Sequence, residues 1–456
     1  MNSLFKAKFD WGVFFVAAII IRILFFDMSW FSYMGILIAL HQFLLLFYSI
    51  GYVIPVRYLA GSLMCLQMLV GPAFAYNGLD VYQRDYSKMQ IPEFDYFSYA
   101  VPAMIFFIFG LHTTAGNLKG EFISQEKIQK YVRQNDTLPY IFVGLGFLSS
   151  IVAPFFGSGL GFVFVLLGGF KFIGAFLIIL GNKHLKPFFL VLIYGSILLS
   201  SLKGAMFHDL LIWLIFLGAA FAIKYKPSIN LKAIFVTGFI LLALVIQQLK
   251  GDYRQATWKE GEAGNLETFS QTYDESKDKG KFSLESIGKS NIRINQGYIV
   301  TNIMQNVPAR VPFENGAEMM EIIKAAVLPR ILAPNKLRAG DRAIFMKYSA
   351  IPLMPGTSMA LSSLGDAYIN FGIIGGIIFM FFYGLLFSEV LNAFYKNSFE
   401  YPILILFTPL VFYYPIRPDC ELQTILGHLV KSSFLIFVMI QVWKIKFRVN
   451  RVGVPG

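Results

Sequence analysis

What most constrains this chain is a series of apolar runs, each near the roughly 20 helical residues needed to cross about 30 Å of hydrocarbon. Twelve are read: 11–26, 30–54, 58–75, 97–113, 139–156, 159–180, 188–202, 209–223, 233–249, 368–390, 402–416 and 429–443, with those at 188–202 and 402–416 short. Composition agrees. Only 14% of the residues are charged, against about 25% in soluble domains, and 56% are hydrophobic. So few charges cannot cover a water-facing surface, which excludes a soluble enzyme. The ample apolar surface excludes disorder. The fold class expected is an all-α polytopic membrane protein of about 12 transmembrane helices.

Charge bias tests that count. With the N-terminus inside, seventeen basic residues fall on inside segments: Lys6, Lys8, Arg57, Lys119, Lys127, Lys130, Arg133, Lys183, Lys186, Lys224, Lys226, Lys232, Lys396, Lys444, Lys446, Arg448 and Arg451. The short outside segments carry four, Arg84, Lys88, Lys203 and Arg417. A missed helix would scramble that asymmetry from the error onward, so both termini are expected in the cytoplasm. Most of the +12 net charge is then topological, and no nucleic-acid partner is implied. The first run follows Lys6 and Lys8 without a small-residue cleavage site, so no cleavable signal peptide is expected. Cys65 and Cys420 fit neither a disulfide scaffold nor a metal-ligand spacing.

The polar segment 250–366 divides the chain. It separates nine helices in 1–249 from three helices and a basic cytoplasmic tail in 367–456, and this parity makes it one large extracytoplasmic loop between helices 9 and 10. Gly251–Lys289, rich in Gly, Lys, Glu, Asp and Ser, reads as a solvated excursion. Ala317–Val327 reads as an amphipathic helix lying on the membrane or capping the bundle. Met319, Met320, Ile322, Ile323 and Val327 share one face of it. Pro329, Pro334, Pro352 and Pro355 then impose non-helical turns.

Within the loop, Arg293–Lys347 carries eight basic residues to four acidic, whereas Gly251–Lys289 carries six to eight. The eight are Arg293, Arg310, Lys324, Arg330, Lys336, Arg338, Arg342 and Lys347. A basic patch outside runs against the topological bias. Arginine forks match phosphate oxygens, so a lipid-linked pyrophosphate is one explanation. A solvated face paired with local acids, or anionic lipid headgroups, is the other. Arg22, Lys171 and Lys203 sit at membrane depth, where charges mark function by default, and His208 and Asp209 follow Lys203. Arg22 and Lys203 have the alternative of snorkelling to the interface. Asp366 stands where the loop meets helix 10, either as a proton acceptor or as a first-turn acid worth roughly 0.5–2 kcal/mol. None of the five histidines lies in the large loop, and no metal cluster, Walker loop or GxGxxG motif appears.

Three motifs and the layout then carry a likeness. Ser200-Ser201-Leu202-Lys203-Gly204-Ala205 resembles an S-x-R-G pattern, with lysine for arginine. Leu328-Pro329-Arg330-Ile331-Leu332-Ala333-Pro334-Asn335-Lys336 resembles a "PR…P-K" segment. Leu364-Gly365-Asp366-Ala367-Tyr368-Ile369-Asn370-Phe371-Gly372 resembles "G-E-x-Y-x-N-F-G", with aspartate for glutamate. In this order, before the last few helices, they resemble the bacterial oligosaccharide repeat-unit polymerases, the O-antigen polymerase (Wzy) family.

The resemblance implies a GT-C-like glycosyltransferase on the outer face of the bacterial cytoplasmic membrane. It would move a glycan from undecaprenyl pyrophosphate to the terminal sugar hydroxyl of another lipid-linked repeat unit, without metal or other cofactor. The partners implied are that donor and acceptor and the bilayer, and whether a chain-length regulator binds stays open. By motif match, Asp366 would serve the acceptor, and Lys203, Arg330 and Lys336 the phosphates. Arg293, Arg310 and Arg338 join them by charge position, and Lys171, Arg22 and His208 as intramembrane or boundary groups. Two alternatives stand beside it. One is a ligase, expected to need a loop histidine, and the other a lipid-linked oligosaccharide transporter, expected to show paired halves.

Overall fold

The computed structural model describes residues 9–78, 87–115, 123, 125–157, 161–181, 186–259, 261–278, 294–328, 333, 335–337 and 340–443. Among them there is no strand, and ten helices are long and apolar enough to cross a membrane. The first half runs α1 (Trp11–Leu24), α2 (Trp30–Ser49), α3 (Val56–Tyr76), α4 (Glu93–His112), α5 (Gln125–Gln134), α6 (Leu138–Phe155), α7 (Gly161–Gly181), α8 (Pro187–Gly204), α9 (His208–Tyr225) and α10 (Ile229–Trp258). Then come α11 (Leu266–Asp278), α12 (Gly297–Asn306), α13 (Ala317–Val327), α14 (Arg342–Ser349), α15 (Ser362–Asn397), α16 (Leu404–Val411) and α17 (Leu422–Val442). Of the twelve runs, 11–26 yields the 14-residue α1, and 402–416 yields only the eight residues of α16. Eight residues rise about 12 Å, too little to cross. Pro415 and Pro418 lack the N–H that a longer helix needs, so residues 412–421 continue in turns.

The central seam is α4 against α15. A Cβ on Gly110 would lie 2.1 Å from Phe381 O, and one on Gly384 would lie 2.2 Å from Phe107 O. The two backbones therefore touch, as small residues permit in apolar surroundings. One end of this seam is pinned by Arg57, which is fully buried. It donates to Leu111 O, to Ser388 Oγ at 2.9 Å and to Thr114 Oγ1 at 3.2 Å, and so joins α3, α4 and α15. The Leu111 carbonyl belongs to the negative end of α4, which favours a cation there.

Helix α3 is not regular. Pro72 has no N–H for Met68 O, and a π-helical turn occupies Leu66–Val70. Two carbonyls released there find donors elsewhere. The Tyr96 hydroxyl donates to Met68 O at 2.7 Å, and the Gln296 amide donates to Gln67 O at 3.1 Å. The second bond brings the polar segment back onto the bundle just before α12.

The polar segment is more ordered than its composition implies. Helix α10 continues past residue 249 to Trp258, and α11 follows, so much of Gly251–Asp278 is helical rather than an irregular excursion. The Tyr253 hydroxyl, shared between Leu202 O at 3.1 Å and Asn265 O at 3.2 Å, fastens this part to α8. Helices α12, α13 and α14 form a cap. Asn306 Nδ2 donates to Lys347 O and Tyr348 O, both at 2.9 Å, tying α12 to α14.

Helix α13 has the expected bounds but a different buried face. Met319, Ile322, Ala325 and Ala326 pack inward against α17 and α15, while Met320, Ile323 and Val327 are 52%, 41% and 54% exposed. The apolar stripe is wider than one contact face, and Ala325 and Ala326 allow the close approach. Helix α15 breaks at Gly372, whose φ of 64° and ψ of −159° suit glycine alone. The head of the helix, 362–371, thereby belongs to the cap. There Asn370 Oδ1 accepts from Met319 N at 2.9 Å, and Ile369 O accepts from Glu314 N at 3.0 Å.

Candidate functional site

Cap and bundle leave a cleft of about 40 Å³, room for a few waters. Its lining includes Glu318 of α13, Asp341 before α14, Asp366 of α15, and Glu421 and Gln423 at the start of α17. The heads of α15 and α17 meet here, so the chain between them must return from the far end of α15. The short α16 and the turns after it make that return.

Each acid is held by a local cause. Asp366 is only 4% exposed, and its carboxyl lies beside the Leu422 amide, one of the donors at the start of α17. It therefore serves the positive end of α17 rather than capping α15. Glu421 accepts the Gly340 amide on both oxygens, each at 2.9 Å, and Gln423 Nε2 donates to Leu337 O at 2.7 Å. Asp341 caps α14, accepting from Ala343 N at 2.9 Å and Ile344 N at 3.3 Å.

Glu318 is the least satisfied of the group. Among the described residues its buried Oε2 has no hydrogen-bond partner. Burial first, then the charge of Glu314, holds its carboxyl up at about 7, with Lys347 and Tyr348 acting in the opposite sense. Glu314 itself is held below the usual carboxylate range by hydrogen bonds from Lys347 at 2.8 Å and the Tyr348 hydroxyl at 2.7 Å. Glu318 and Asp366 lie within electrostatic reach of one another, as do Asp366 and Glu421. A pair of close carboxylates shares a proton, so one can accept while the other donates. Among the described residues no group of three or more His, Cys, Asp or Glu side chains is placed to hold a metal ion.

Of the residues proposed from sequence that are described, only Asp366 lines this cleft. Arg293, Arg330 and Arg338 lie outside the described residues. Lys336 donates to Ala325 O at 2.8 Å and to Leu328 O, satisfying the last carbonyls of α13. Arg22 donates to Met28 O at 2.6 Å and lies over the Trp30 ring at 4.6 Å, which closes the turn after α1. Arg310 and Lys203 are exposed, and Lys203 ends α8. His208 pairs with Asp209, which also accepts from the Tyr413 hydroxyl.

Lys171 lies over Phe147 and Phe172 at 5.3 and 5.5 Å. With ring faces as its recorded neighbours, Lys171→Met is expected to leave the thermal midpoint in detergent unchanged or raised, since methionine also suits aromatic contacts. A clear fall would give the ammonium a structural role of its own. Of the remaining cap cations, Lys324 pairs with Glu321 at 2.7 Å and Lys347 with Glu314 at 2.8 Å. Lys324, Lys336 and Lys347 thus have local partners, and the charged residues lining the cleft are acids. Sequence reasoning missed Glu318 and Glu421. Their one signal was an acid beside an apolar helical face or at a helix start, which usually means solvent or capping.

Neither the curated proteins nor the solved structures offer a match to this chain. A family model described as a domain of unknown function (DUF8712) matches residues 107–410, two thirds of the 456. That stretch holds the polar segment, Glu318 and Asp366, and stops before Glu421. The chain belongs to the DUF8712 family.

Proposed function

We propose that this protein is a polysaccharide polymerase acting on the outer face of the cytoplasmic membrane, extending one lipid-linked repeat unit with the glycan of another. The observation that carries the reading is the buried Asp366, held beside Glu318 in a cleft between cap and bundle. In the reaction, an acceptor sugar hydroxyl attacks the anomeric carbon of the donor. A new glycosidic C–O bond forms and the bond to undecaprenyl pyrophosphate breaks. The Asp366–Glu318 pair takes the hydroxyl proton, and Glu318, with a pKa about 7, is the member that is ionised to receive it and passes it toward solvent. Such proton transfer typically contributes 10²–10⁴-fold.

Deleting the protein is expected to remove polymer and to leave single repeat units on the outer leaflet, detected by lipid extraction and glycan profiling. Units retained on the cytoplasmic leaflet would instead favour transport. Transport is the second reading, since paired buried carboxylates are also what proton-coupled carriers use. Ligation is separated by offering lipid-linked repeat units as the sole acceptor in vitro.

A further inference from the structure

We infer that Arg417 is the centre of an oxyanion site built to hold phosphate groups. The stretch 412–421 is non-helical and largely buried between α16 and α17, with apolar helices around it. In a bundle of this composition, such backbone occurs where it is enclosed by protein or lines a polar cavity, and broken helices mark binding sites.

Arg417 lies in that stretch, with a side chain only 14% exposed. Among the described residues it makes no side-chain hydrogen bond. Its one recorded ion pair, Nη2 to Asp419 Oδ2, is long at 3.6 Å, and the Asp419 side chain is 42% exposed. The Tyr414 ring lies 5.3 Å from its guanidinium carbon. Three other described arginines behave differently. Arg57 has three oxygen partners, Arg22 has Met28 O, and Arg254 has Ala205 O at 3.0 Å. A guanidinium carries five N–H donors, and one long ion pair leaves most of them open to a further acceptor. A phosphate, which takes the fork in bidentate fashion, would complete them.

The neighbouring charges leave room for an anion. Asp209, within electrostatic reach of Arg417, already accepts from His208 and from the Tyr413 hydroxyl on one oxygen. Asp419 is loosely held and can swing to solvent. The position also fits the chemistry above. Arg417 precedes Glu421 of the cleft by four residues, at most about 14 Å of chain. The turn closed by Cys420 N on Arg417 O at 3.2 Å shortens that span. The site itself stands on the geometry of Arg417. Naming its ligand as the lipid pyrophosphate leaving group rests on the polymerase reading.

The test is direct binding to the full-length protein in nanodiscs, with undecaprenyl pyrophosphate, undecaprenol and inorganic pyrophosphate as probes. Arg417→Ala is expected to lose tenfold or more in affinity for undecaprenyl pyrophosphate, with undecaprenol unchanged, and Arg417→Lys to lose less. Asp419→Asn, which removes the competing carboxylate, is expected to tighten binding, a sign that no merely structural role would give. If Arg417→Ala fails to fold, Arg417→Lys and Asp419→Asn decide. Equal affinities across all folded variants would overturn the site. Arg417-dependent binding of inorganic pyrophosphate without the lipid form would keep the site and remove the lipid-linked reading.

Discussion

Gly384→Val is expected to abolish a monodisperse folded protein, with Gly110→Leu doing the same from the other helix. The added Cβ at 384 would stand 2.2 Å from Phe107 O and 2.8 Å from Leu111 N, and the one at 110 would stand 2.1 Å from Phe381 O. These neighbours are backbone, so no side chain can rotate away. The helices must separate by more than 1 Å, against the packing that gives van der Waals contact its value in an apolar medium. Overpacking of this kind costs roughly 1–3 kcal/mol and sometimes more. Here it also loosens the clamp in which Arg57 reaches Leu111 and Ser388. Gly195 and Gly218 serve as controls, since a Cβ on either meets nothing within 4 Å. Alanine there is expected to be neutral or slightly stabilising, by up to about 1 kcal/mol. Size-exclusion profiles and thermal melting in one detergent distinguish the outcomes. Wild-type behaviour of Gly384→Val would mean that α4 and α15 do not touch as described.

Asp366→Asn is expected to lower polymer formation by a factor of 10² or more at unchanged protein level, the scale of a lost general base. Glu318→Gln is expected to reshape the pH profile. The Glu318 carboxyl, held near 7 by burial and by Glu314, must be ionised to receive a proton. Activity of the wild type should therefore rise with pH through about 7, and this limb should vanish in Glu318→Gln. Removing the Glu314 charge by Glu314→Gln takes away one raising cause, so the limb should move to lower pH. A profile identical in all three proteins would dissociate Glu318 from the chemistry, and full activity of Asp366→Asn would dismiss the site.

The spans were legible because hydropathy is a local property. A run such as Ile229–Trp258 declares itself whatever surrounds it. The largest exception, 402–416, is equally local in cause. Its apolar length concealed Pro415, which with Pro418 just beyond ends the helix at Val411. Asp366 was legible because a charge at the edge of an apolar run is conspicuous. Glu318 and Glu421 were not, because their meeting depends on how α13 packs across α17, and no spacing in the chain encodes that. Counting charges also overrates Lys336 and Lys347. A sequence displays their ammonium groups but not the Ala325 carbonyl or the Glu314 carboxylate that occupies them. Arg417 shows the opposite error. It entered the topological count as an ordinary outside charge, whereas a side chain only 14% exposed, with one long ion pair, sets it apart.

The irregular turn of α3 bears on how the protein is made. Before the rest of the chain emerges, Gln67 and Met68 hold carbonyls that their own helix cannot satisfy. An unsatisfied carbonyl in hydrocarbon costs several kcal/mol. One donor, Tyr96, arrives with the very next long helix, but the other, the Gln296 amide, is synthesised more than two hundred residues later. Biogenesis should therefore pass through a stage in which this segment is lodged only provisionally at the translocon, and become final when the polar segment folds back. Truncation before residue 296 is the condition under which such a stage would be trapped.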